Sequence, residues 1–363
     1  MKSFAVVLVL LVSGQLAAVG LAQNTEAGAD LIGVGASSVR GLYERMFEVY
    51  DQERNVRVNY SPDGSGAGRR ETLAQNVDFG TSDAFLSDSQ LDSVPIDPNT
   101  GEPNLILHIP VAVLNVVPAY NFAPIFETPT EVRFSGPVLA DIFLGNIIRW
   151  NDPALQSLNP SVLMPDLPIT VVTRADSSGT TSIFVDYLAK VSDQWARDIS
   201  QGPQSSVDWP AGFGGQGSSE VAEIVEATPG AITYVSLDFA ASRGLGVGVM
   251  QNSTGNFVRA DAESLAEAAN IPLPDDLRAA FTNTSAPGGW PIAGFTWLLL
   301  YQNQDYQGRV AARAQASLDL VRWMITDGQQ FQDEFGNGRI TGTTREAALQ
   351  LLDTVVYGDQ ALR

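Results

Sequence analysis

The chain has 363 residues, 44% hydrophobic and 17% charged, which gives material for about two domains with sizeable cores and excludes extended disorder. A formal net charge of −20 makes nucleic acid and anionic membrane surfaces poor partners. With no cysteine there is no disulfide, no thiol nucleophile and no cysteine for an N-terminal lipid anchor, so the core alone must stabilise the protein.

Residues 1–22 read as a secretory signal: Lys2 supplies the positive start, Phe4 to Val12 the apolar run, and Gly20-Leu21-Ala22 a small-residue cleavage site. The chain is therefore expected to be exported, periplasmic or secreted, and soluble, without a lipid anchor. No later stretch reaches the roughly 18 apolar residues of a membrane span.

Leu31-Ile32-Gly33-Val34-Gly35-Ala36-Ser37-Ser38 predicts a short strand that runs into a Gly/Ser turn. Val39, Leu42, Tyr43, Met46, Phe47 and Tyr50 then form the apolar stripe of a helix. The third glycine of a dinucleotide fingerprint is missing, so that reading fails. Val56, Val58 and Tyr60 alternate as in a half-buried strand, and Asp63-Gly64-Ser65-Gly66-Ala67-Gly68-Arg69-Arg70 follows as a further Gly/Ser turn before a helical segment through Leu73-Ala74. It lacks the Lys-Ser/Thr of a P-loop. Asp78-Phe79-Gly80-Thr81-Ser82-Asp83 reads as a further polar turn.

Leu105 to Val117 is a long β-rich run that contains His108, the only histidine, and is read as a strand crossing between lobes with a core imidazole. After a helix at Leu139–Gly145 and a turn at Trp150-Asn151-Asp152-Pro153, apolar residues from Ile169 lead into Arg174-Ala175-Asp176-Ser177-Ser178-Gly179-Thr180. Ile183, Phe184, Tyr187, Leu188 and Val191 continue at helical spacing. A helix N-terminus with free N–H groups, hydroxyls from Ser178 and Thr180, close backbone approach at Gly179 and the planar donor fork of Arg174 together suit an oxyanion. An ordinary helix cap is the plainer reading of the same residues. Trp209 to Gly217 is glycine-rich, Glu220–Ala227 helical and Ala231–Val235 a strand. Trp290 to Tyr301 is a return crossing, and the last 60 residues or so are mostly helical with Gly328 as a stop. Asp333 to Arg339 fails the calcium-loop spacing. Asn59, Asn252 and Asn283 head glycosylation triplets of the kind that occur by chance. One strand–turn–helix unit with donors at its turn is a surface loop; four of them suggest a ligand at the carboxyl ends of the strands of an open α/β sheet.

Gly33-Val34-Gly35-Ala36, Asn59-Tyr60 with Gly64–Gly68, Asp78–Ala84, Asp141–Gly145 before Trp150-Asn151-Asp152, Arg174-Ala175-Asp176 with Ser178-Gly179-Thr180, Gly214–Gly217 and Pro229–Ile232 before Tyr234 together resemble one family. It is that of the phosphate-binding proteins of high-affinity phosphate ABC transporters, which are type II periplasmic binding proteins. The resemblance implies two α/β lobes joined by two crossing strands, with the ligand cleft between them. Lobe I would comprise residues 23–110 plus 292–363, and lobe II residues 111–291. It further implies that Ser37, Ser38, Ser65, Asp83, Arg174, Ser178, Gly179 and Thr180 hold phosphate without metal or cofactor. Asp176 would brace Arg174 without touching the anion. A monomer that meets permease subunits at the membrane is also implied. Ser37-Ser38-Val39 stands where the family usually has Thr-Phe-Pro; Ser37 keeps the hydroxyl and Ser38 the backbone N–H.

Asp83 is an odd residue for an anion site, and it makes sense if the ligand carries a proton. HPO4(2−) and H2PO4(−) can donate to a carboxylate, whereas sulfate cannot. Together with the resemblance, which implies an ABC importer, this makes the expected function capture of inorganic phosphate for that importer. The alternatives are a receptor for another protonated oxyanion, a secreted phosphate scavenger or adhesion protein, and a phosphatase. The last would need a metal cluster or an activated nucleophile, and neither is visible.

Overall fold

The computed structural model describes residues 30–123 and 131–363. The leader expected over residues 1–22 lies outside them. In chain order the strands are β1 (Leu31–Gly35), β2 (Val58–Ser61), β3 (Phe79–Ser82), β4 (Ile106–Asn115), β5 (Val117–Tyr120), β6 (Arg133–Phe134), β7 (Thr170–Arg174), β8 (Phe213–Gly215), β9 (Ala231–Val235), β10 (Gly246–Val247), β11 (Val249–Gln251), β12 (Phe257–Val258) and β13 (Ala293–Tyr301), before a small C-terminal hairpin of β14 (Val356–Tyr357) and β15 (Gln360–Ala361).

Two five-stranded sheets organise the chain. The first has the order β2-β1-β3-β13-β4 and the second β10-β5-β9-β7-β8. In the first, β1 runs parallel to β2 and β3, while β13 is antiparallel to β3 and β4. In the second, β7 runs parallel to β8 and β9, while β5 is antiparallel to β9 and β10. Each sheet thus receives one strand from the connection with the other lobe. β12, β11 and β6 form a small third sheet.

β4 and β13 are buried along their whole lengths, which explains why both read as long, mostly apolar β-rich runs. They pair from Ile106↔Tyr301 to Asn115↔Ala293. Residues 111–115 therefore still belong to the first sheet, and the chain passes to the second at Val116, later than the division at residue 110 drawn from the sequence. Both connections are tied side by side there: the Val116 N–H donates to the Ile292 carbonyl (3.0 Å), and the Trp290 indole N–H donates to the Val116 carbonyl (3.1 Å).

Two segments read as polar turns are regular structure. A helix starts at Ser65 and runs to Leu73, and Phe79–Ser82 is a fully buried strand rather than a turn. Their small residues reflect close packing of that helix on the sheet. A Cβ on Gly68 would lie 2.2 Å from the Thr81 carbonyl oxygen. At the far end of β3, the buried Asp78 carboxylate accepts from the Ile32 N–H (2.6 Å) and pairs with Arg309 and Arg313 (2.7 Å each), tying both strands to the C-terminal helical region. The helix Arg40–Arg54 buries Leu42, Tyr43, Met46, Phe47 and Tyr50, the predicted stripe, and ends at Asn55 in the left-handed region. Near the C-terminus the helix Ala311–Ile325 stops before Gly328, which lies within a 3-10 segment. Asp333 is paired with Arg339.

His108 is buried in β4, and its Nε2 accepts the Leu86 N–H at 3.0 Å. Burial, and then the positive charge of Arg278, push its pKa from 6.5 down to about 3. The unfolded chain takes up this proton below pH 6.5 while the folded chain does not. The imidazole therefore lowers stability by about 1.4 kcal/mol per pH unit as pH falls from 6.5 towards 3. Urea unfolding of wild type and His108→Gln at pH 7 and pH 4.5 checks this. The wild type should lose about 2.5 kcal/mol more than the variant over that interval; parallel losses would remove the assignment.

Candidate functional site

The helices Arg40–Arg54, Ser65–Leu73, Gly179–Val191 and Gly217–Ala227 begin in the loops after β1, β2, β7 and β8, so four N-termini open at the carboxyl ends of their strands. The helix after β1 has no side-chain cap. Among the described residues the N–H groups of Ser38, Gly179 and Thr180 have no hydrogen-bond partner, and they remain available to an acceptor. Ser178 caps its own helix, its Oγ accepting the Thr181 N–H at 3.1 Å.

The eight residues singled out from the sequence come together here, drawn from both lobes. Asp83, at the end of β3, is their centre. Its Oδ2 accepts from the Ser38 hydroxyl (2.7 Å) and the Thr180 hydroxyl (3.3 Å), and its N–H donates to Ser65 Oγ (3.1 Å). Gly179 sits against this group so closely that a Cβ would lie 2.4 Å from Ser65 Oγ and 2.7 Å from the Asp83 nitrogen. Arg174, at the end of β7, donates through Nε to Asp176 Oδ1 (2.6 Å), through one Nη to Asp176 Oδ2, and through the other to Ser218 Oγ (3.2 Å). Ser37 faces the same Ser218 hydroxyl at 3.1 Å. The lobes also meet where the Gly66 N–H donates to the Ser177 carbonyl (2.9 Å) and the Ser236 hydroxyl to the Ser38 carbonyl (2.9 Å).

The Arg174 guanidinium is 2% exposed. Burial raises the Asp176 carboxyl, but hydrogen bonds from Arg174 and Gly217 outweigh burial and hold it below the usual carboxylate range. Asp83 behaves oppositely. Burial pushes it above that range, against the hydroxyls of Ser38 and Thr296 and the charge of Arg174. Two carboxylates against one guanidinium leave the cluster formally negative, so a bound anion depends on N–H and O–H donors and on the helix N-termini.

The PBP superfamily domain matches residues 22–327. The phosphate-binding protein PstS of Xylella fastidiosa is 36% identical over 305 residues, covering 83% of this chain and 79% of its own. That of Pasteurella multocida is 35% identical over 305 residues, covering 82% and 83%. The chain belongs to the PstS phosphate-binding protein family. Its fold is that of the solved structure of a high affinity periplasmic phosphate-binding protein bound with phosphate at pH 8.5, with a TM-score of 0.68 at 22% identity over 88% of this chain and 93% of that one.

Within this PstS fold, Thr296 and Ser218 escaped the sequence reading. Thr296, on β13, donates to Asp83 Oδ1 at 2.7 Å. It is the one hydroxyl before Tyr301 in the apolar run Ala293–Tyr301, and that interruption was the available signal. Ser218 follows the glycine-rich loop at the start of the helix Gly217–Ala227. Arg69 also spans the lobes, donating to Ser205 Oγ at 2.9 Å.

The Gly179 contact gives a test of how tightly the lobes meet. A methyl there should keep them apart, at about 1–3 kcal/mol against the juxtaposed form. Small-angle X-ray scattering of Gly179→Ala should give a larger radius of gyration than wild type. Identical scattering together with identical thermal stability would show that the contact is slack.

Proposed function

We propose that this chain captures inorganic phosphate between its two lobes and delivers it to a membrane ABC importer. The observation that carries this reading is the buried Asp83 carboxylate, an acceptor among the donors Ser38, Thr180 and Arg174. An acceptor in that position favours an anion that still has a proton to give. HPO4(2−) and H2PO4(−) meet it, while sulfate would set oxygen against oxygen. The repulsion between two such oxygens in a buried site, with no proton between them, makes roughly 10^4-fold discrimination the expected scale. The free N–H groups of Ser38, Gly179 and Thr180, the hydroxyls of Ser37, Ser65 and Ser178 and the braced Arg174 supply the remaining contacts. The names of the PstS relatives support the same ligand.

In this reading residues 1–22 direct export and are removed, and the mature protein works in the periplasm as a monomer without a lipid anchor. The lobes hinge where Val116 and Ile292 lie side by side, and permease subunits recognise the closed form. Binding requires no covalent chemistry, so the chain is not an enzyme.

Calorimetric titration of the mature chain, stripped of bound anion, should give one-to-one phosphate binding and no sulfate signal. Arg174→Ala should weaken phosphate binding a hundredfold or more, about 3 kcal/mol. Asp83→Asn should admit sulfate, because an amide can donate where a carboxylate cannot. Silence towards phosphate in the wild type, or unchanged affinity in Arg174→Ala, would overturn the reading.

A further inference from the structure

Thr296 and Asp83 face each other across the sheet. β13 pairs antiparallel with β3, with Trp297 opposite Ser82, so Thr296 stands opposite Asp83 one position further on. The pairing of β13 with β4 shifts register between Thr296 and Trp297, an irregularity of the kind that re-aims a side chain. Thr296 is fully buried, and its hydroxyl donates to Asp83 Oδ1 at 2.7 Å.

The two carboxylate oxygens therefore have different surroundings. Oδ1 accepts from Thr296, on a central strand of the first sheet. Oδ2 accepts from Ser38 and Thr180, one from each lobe, and both belong to the set that would hold the anion. The other charged and titratable groups that act on Asp83 are Arg174 and Arg69, with Tyr43 and Tyr60 on the helix and strand packed behind it. None of these is hydrogen-bonded to Oδ1.

We propose that Thr296 is a positioning residue for anion selectivity: by donating to Oδ1 it keeps Asp83 ionised and its carboxylate held at the cleft as an acceptor for the ligand's proton. The proposal rests on the phosphate reading above. Without the Thr296 hydroxyl, Oδ1 is a buried acceptor with no partner, and a carboxylate in that position takes up a proton more readily. A protonated Asp83 donates instead of accepting, and the barrier to sulfate falls.

The test is calorimetry with phosphate and with sulfate on wild type, Thr296→Val, Thr296→Ser and Thr296→Ala, with thermal melts to confirm folding. Valine keeps the shape and removes the hydroxyl, whereas serine keeps the hydroxyl and removes the methyl. The phosphate-to-sulfate affinity ratio should drop about tenfold or more in Val and Ala, and serine should restore it. A merely structural role would weaken both anions alike and leave the ratio unchanged. An unchanged ratio in Val, or a serine variant that behaves like alanine, overturns the proposal. If Val does not fold, the comparison of Ser with Ala decides the question. Phosphate binding by the wild type is read separately, so failure of the phosphate reading is distinguishable from failure of the Thr296 role.

Discussion

A carboxylate taken out of water needs its lone pairs filled, and the cleft is arranged around meeting that need for Asp83. One oxygen is filled from β13 within the first sheet, the other by hydroxyls from both lobes. Desolvation and hydrogen bonding pull in opposite directions there. The bonds from Ser38 and Thr180 require the turn after β1 and the helix after β7 to meet at the end of β3. The glycine at residue 179 and the small residues of the helix Ser65–Leu73 serve that convergence by letting backbones approach.

The chain as a whole is strongly acidic, so in the proposed reading the anion is held by local fields rather than by net charge. Arg174 is held between Asp176 and Ser218, fixed in direction and partly neutralised. This arrangement trades raw attraction for orientation, since a braced guanidinium offers its two remaining N–H donors in fixed directions. Helix N-termini from both lobes then supply partial positive charge that brings no counter-ion with it.

The parts of the fold written in local patterns were legible from the sequence. The stripe Leu42-Tyr43-Met46-Phe47-Tyr50 gave its helix, and the two apolar runs gave β4 and β13. The turn from Arg174 to Thr180 carried its chemistry openly in adjacent residues. Small residues misled, because Gly66-Ala67-Gly68 and Gly80-Thr81-Ser82 look like loop but form helix and strand where two backbones pack closely. The partners missed were distant ones. Thr296 reaches Asp83 across 213 residues and Ser218 reaches Ser37 across 181, separations at which no spacing rule speaks.

The pairing of Asn115 with Ala293 has a consequence for how such a receptor changes over time. The second lobe leaves the first sheet and re-enters it at adjacent points, so it is topologically an insertion with its two ends side by side. Segments of that kind can be exchanged without stretching their host. One half carries Ser38, Ser65 and Asp83 and the other carries Arg174, Ser178 and Thr180. The two halves can therefore assort as modules, and a recombinant joined at this seam inherits its acceptor from one parent and its guanidinium from the other.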